Sequence, residues 1–161
     1  MQKERDLADL KKEYKKIQKK HDLPGFDELN RDFCIEKISD FETDFLLREV
    51  RKIMSDRFSN YMRFIEAILN PINVPMFVFS IVKSLSIEEK DKLTEVYKKL
   101  AEIEVELIGV DIEYVEKKEA EFIKQSFLVW QKIKKDILEI VGVIKRNWGN
   151  KFETNSKGYF G

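Results

Sequence analysis

From Leu93 to Tyr114 the apolar residues step by three and four: Leu93, Val96, Leu100, Ile103, Leu107, Val110, Tyr114. Such a seam, three heptads long, fits one edge of an α-helix and commits the chain to helix packing. A local pattern competes with it. Within "IEVELIGVDIEYVE", Ile103 to Glu116, apolar and acidic residues nearly alternate, as they do in a half-buried strand. No second alternating stretch offers a partner, and two strands alone are marginally stable. The stretch is therefore expected to be helical, with Gly109 or Asp111 near a break or kink. A hairpin turning at Gly109 is the alternative.

The rest of the chain repeats the helical period. Leu7, Leu10, Tyr14 and Ile17 form a narrow stripe in residues 1–21, which "DLPG" terminates at Pro24 and Gly25. "FDELNRDF" suits a short helical turn, and "CIEKI" is ambiguous. Ser39 and Glu42 have capping-box spacing and predict a long helix to about Asn70, broken by Pro71. Its apolar positions include Phe45, Leu46, Val50, Met54, Phe58 and Ile65. Ile72 to Ser84 is apolar on most sides and is expected to be a buried core helix entered through Pro75. Ser86 and Glu89 repeat the box before the seam. A final helix is expected from about Glu116 to Trp148, with Ile123, Phe127, Trp130, Ile137, Val141 and Ile144 on its stripe. The expected fold is all-α: an up-and-down bundle of three or four helices with a charged N-terminal helix. Residues 1–24 form that helix, packed on the bundle or projecting. Residues 25–150 form the bundle domain, and 151–161 a flexible tail.

Composition supports this. Six Gly and three Pro in 161 residues are too few for the turns of a β-sandwich. The apolar share of 43% is enough for a core. The longest apolar run, "INVPMFVFSIV", falls well short of the roughly twenty residues that span a bilayer. Cys34 is the only cysteine and His21 the only histidine, which excludes an internal disulfide and a Cys/His zinc site. The N-terminus lacks the apolar core of a signal peptide. These features lead to a soluble cytoplasmic protein as the expectation.

Thirty basic and thirty acidic side chains cancel, yet they are segregated. The balance is +4 over residues 1–20, −6 over 22–49, +3 over 51–83, −6 over 88–121 and +5 over 124–157. Acidic and basic helices can pair across their flanks in a bundle. Alternatively, a basic face meets an acidic partner, such as a protein or a ribonucleoprotein, with salt-dependent, sequence-blind contacts. The neutral total argues against a sequence-specific nucleic-acid binder. The residues proposed to bind a partner are Lys12, Lys15, Lys16, Lys19 and Lys20 on the first helix. Tyr159 and Phe160 join them, as tail aromatics that could fill a groove.

Chemistry finds little support. Glu102, Glu106, Glu113 and Glu116 fall on a polar face, and a di-iron bundle would need two Glu-x-x-His pairs that one histidine cannot supply. Cys34 lies between Phe33 and Ile35 and is expected to be a small buried hydrophobe, and His21 to meet a helix C-terminus. No glycine-rich phosphate loop exists. The stretch "LPGFDELNRDFCIEKI" followed by a long helix resembles Lys-, Glu- and Ile-rich archaeal proteins, a resemblance that implies no family and no functional residue. The expected function is a non-enzymatic interaction protein without cofactor or metal. The alternatives are a homodimer or larger self-association through the Leu93–Tyr114 seam, and an enzyme with a carboxylate-bound metal.

Overall fold

A computed structural model describes residues 6–157 in backbone and as far as residue 148 in side chains. Among the described residues there are seven helices and no strand. They are α1 (Leu7–His21), α2 (Phe26–Phe33), a 3-10 helix (Ile35–Asp40), α3 (Leu46–Leu69), α4 (Met76–Ser84), α5 (Ile87–Ile112) and α6 (Glu116–Lys157). The chain divides into two compact units. One comprises Met1–Asn60 and Glu102–Trp130, the other Tyr61–Ala101 and Gln131–Gly161. Helices α3, α5 and α6 each supply residues to both.

The first unit is built around aromatic rings. Phe33 and Phe58 meet edge to face at 5.5 Å, and Trp130 lies tilted against them at 5.7 and 5.9 Å. Such pairs contribute beyond their buried area. The Trp130 indole donates to Asp32 at 3.0 Å, so its polar atom is satisfied. Met54, Leu29, Ile38 and Ile123 complete a core from which water is excluded. In the second unit Ile65, Ile68, Val78, Ile81, Leu93, Val96, Leu100, Ile133 and Ile140 are buried.

Local signals explain most boundaries. Asp6 accepts from the Ala8 amide at 3.3 Å and caps α1, and Asp22 closes it in the left-handed region at φ 54°. The Ser86 box forms in both directions: the Ser86 amide donates to Glu89 Oε2 at 2.6 Å and the Glu89 amide to Ser86 Oγ at 3.2 Å. The strand-like stretch is helix through Ile112, Gly109 included, so the hairpin alternative is overturned. On α5, Leu93, Val96, Leu100, Ile103 and Val110 are buried as the seam requires.

Four expectations are corrected. The Ser39 hydroxyl donates to the Glu36 carbonyl at 2.7 Å inside the 3-10 helix, so it does not cap α3. Just before α3, the Thr43 hydroxyl accepts from the Phe45 amide at 3.0 Å, a local turn ahead of the helix and not a cap on it. Helix α6 does not stop at Trp148 but runs to Lys157, because residues 149–157 contain no proline and a lone Gly149 costs only about 1 kcal/mol. Cys34 is half-buried, not buried: it ends α2 in the left-handed region at φ 57°. Finally, α4 is not a core helix. It buries Val78 and Ile81, while Met76, Phe77 and Phe79 are exposed. Helical spacing puts Ser80, Lys83 and Ser84 on the side away from Val78 and Ile81, together with Met76 and Phe79.

Candidate functional site

The lysine face rests on how α1 is anchored. Leu10 and Tyr14 are each 1% exposed on one side of the helix. The Tyr14 hydroxyl donates to the Pro24 carbonyl at 2.7 Å, and its ring meets Phe26 edge to face at 5.6 Å. Burial, and then the nearby Glu28 charge, push the Tyr14 phenol well above its ordinary value. It stays a neutral donor. With this side held, helical spacing turns Lys12, Lys15, Lys16 and Lys19 outward on the opposite arc, and all four are exposed. Among the described residues none of the four forms an ion pair.

Lys20 differs from them. Its ammonium meets Glu116 Oε1 at 2.8 Å, and His21 Nε2 reaches the same oxygen at 2.6 Å. The hydrogen bonds from Lys20 and then His21 hold the Glu116 carboxyl below its usual range. Lys11 pairs with Asp27 at 3.0 Å and lies over the Phe26 ring. The five lysines therefore comprise four unpaired cations and one that fastens α1 to the start of α6. Tyr159 and Phe160 lie outside the described residues.

A second cluster carries no motif in the sequence. Arg51 of α3 and Glu119 of α6 are buried at 3% and 0% exposure. Arg51 Nε donates to Glu119 Oε2 at 2.7 Å, and its terminal nitrogen donates to Asp111 of α5 at 3.1 Å. Arg48 adds a longer contact to Glu119 at 3.4 Å and stacks over the Tyr114 ring at 4.7 Å. Burial alone would lower the Arg51 guanidinium, but the hydrogen bonds and charge of Glu119, then Asp111, hold it above its ordinary value. The arginine is thus a fixed cation. Its donors are committed to carboxylates, which suits register rather than proton transfer.

The signal for this cluster is periodicity. Counting back by sevens from Ile140 gives Ile133, Ser126 and Glu119, all buried. Counting back from Ile65 gives Phe58 and Arg51, also buried. Polar residues at core positions of a seam are candidates for buried pairs.

The remaining sequence candidates are scattered. Glu102, Glu106 and Glu113 are exposed, and Glu116 belongs to the His21 contact. Glu104 instead accepts a hydrogen bond from Ser59. Among the described residues no group of three or more His, Cys, Asp or Glu side chains is placed to hold a metal ion. No helix among them is long and apolar enough to cross a membrane. No protein-family model matches the chain, and neither the curated proteins nor the solved structures contain a match to it.

Proposed function

We propose that the protein is a non-enzymatic cytoplasmic interaction module, an up-and-down helical bundle that presents α1 to an acidic partner. The observation that carries this reading is the four-lysine arc of Lys12, Lys15, Lys16 and Lys19, exposed and unpaired opposite the buried Leu10 and Tyr14. Lysines that paired with neighbouring helices would serve the fold, as Lys20 does. Free ones are available to phosphates or carboxylates, either of a ribonucleoprotein or of an acidic protein. Tyr159 and Phe160 complete the set of residues assigned to the partner, while Lys20 holds α1 in place through Glu116. Lys12→Glu, Lys16→Glu and Lys19→Glu together should abolish capture of the partner from native cells. They should also flatten the salt dependence of binding, by about one unit of slope for each phosphate no longer neutralised. Capture unchanged by the triple variant would refute the lysine face. Sensitivity of the captured material to nuclease separates a ribonucleoprotein from a protein.

Self-association is the second reading, and one observation favours it. The predicted seam on α5 is largely buried, but Val105, Ile108 and Ile112 form another stripe of the same helix and are 67%, 63% and 82% exposed. Residues at i, i+3 and i+7 share a face. Light scattering of the protein and of Ile108→Ser with Ile112→Ser tests it. A strict monomer at high micromolar concentration removes this reading.

A further inference from the structure

The exposed stripe of α5, Val105, Ile108 and Ile112, has carboxylates along both edges. Helical spacing sets Glu104 and Asp111 on one edge and Glu102 and Glu106 on the other. Glu104 accepts from Ser59 and Asp111 from Arg51, so the first edge faces α3. Glu102 and Glu106 are exposed, and so is Glu113 at the helix exit. Among the described residues none of these three forms an ion pair. No basic residue lies between Lys99 and Lys117 to relieve them.

This charge decides what can cover the stripe. A second α5 laid against it is a poor occupant in either direction. Antiparallel packing sets each edge against its own copy, and parallel packing sets one edge against the other, so both bring carboxylates together. A covering helix must be cationic. The chain presents such a surface on α1, where Lys12, Lys15, Lys16 and Lys19 are exposed on one arc, with Asp9 at its edge. The basic stretch of α6 is less suited, being interrupted by Asp136 and Glu139. The spacing on α1 also matches. Lys12 and Lys16, and Lys15 and Lys19, stand four residues apart, as Glu102 and Glu106 do, about 6 Å along each helix axis. Lysine stems are apolar and can lie along Val105 and Ile108 while their ammonium groups reach the glutamates.

We propose that the acidic partner of the α1 lysine face is a second copy of this chain, with α1 of one protomer packing along the apolar stripe and the Glu102 and Glu106 edge of α5 in the other. This rests on the lysine face proposed above and names its partner. Each copy supplies one surface of each kind, so the contact either closes into a dimer about a two-fold axis or runs on head to tail. Its charges lie at the surface, which makes it weak and sensitive to salt.

Sedimentation velocity of the full chain tests this. At high micromolar concentration and low ionic strength the mass should exceed that of a monomer, and about 1 M salt should return it to the monomer. Lys12→Glu with Lys16→Glu should abolish association, and so should Glu102→Lys with Glu106→Lys. All four changes in one chain should restore it, because the charges are exchanged and not removed. All four positions are exposed, so each variant should keep the wild-type melt. A strict monomer at low salt overturns the proposal. So does association that salt strengthens, or that ignores the lysine pair, or that the fourfold exchange fails to restore. If the chain is monomeric while the triple lysine variant still loses capture from native cells, the second copy fails as the partner and the lysine face stands.

Discussion

Glu119 is a carboxylate with no exposed surface, and its place is tolerable only because Arg51 and Arg48 meet it. Removing one partner strands the other charge in the core. Glu119→Ala should therefore cost about 3–5 kcal/mol in urea unfolding, well above the cost of an exposed ion pair. Replacing both, with Arg51→Met and Glu119→Leu, should recover much of that loss. A double variant as unstable as the sum of the singles would mean that the two residues act separately. The pair also shows what polarity hides. Glu119 and Arg51 occupy core registers that the heptad count reaches. An acidic or basic letter still reads as surface until its partner on another helix is known, and that partner lies 68 residues away.

At the scale of the element, the seam of α5 was legible because Leu93 to Val110 carries its own period, which no partner is needed to reveal. Gly109 was the doubtful point in it, and the helix passes through Gly109 unbroken. A Cβ added there meets no atom within 4 Å. Gly109→Ala should stabilise the protein by about 0.5–1 kcal/mol, through a smaller loss of backbone entropy. That corresponds to a melting temperature higher by roughly 1–4 °C in a chain of this size. A lower melting temperature would show that this stretch is not helical in solution. The link between α1 and α6 has a pH signature. Lys20 and His21 hold the Glu116 carboxyl below its unfolded value, so its contribution is present above the ordinary carboxylate pKa of about 4.3. It is lost as pH falls through the lowered value. Glu116→Gln should thus shrink the acid-side loss of stability relative to wild type and also lower stability near neutrality. Parallel acid limbs in the two proteins would mean that the contact is not made. Ser39 shows the opposite limit of element-level reading. Its spacing to Glu42 was right for a box, but its hydroxyl was already taken by a carbonyl three residues back.

For the whole molecule, composition indicated helices and a core, but not which apolar faces the core would cover. Helix α4 makes the difference concrete: Ser80, Lys83 and Ser84 fall on the arc opposite Val78 and Ile81, but the apolar Met76 and Phe79 share that arc and mask the sign. Two of its nine residues are buried side chains, Val78 and Ile81. The stretches of α3 and α6 around Phe58 and Ile123, each 0% exposed, are instead held by an aromatic core. Stability is therefore expected to be unequal along the chain. In native-state hydrogen exchange the amides of α4 should exchange early, by local opening. Those flanking Phe58 and Ile123 should exchange last, close to the global unfolding limit. Protection of α4 in the free protein as strong as that around Phe58 would mean that its outer face is already covered in solution, by another copy or by the chain itself.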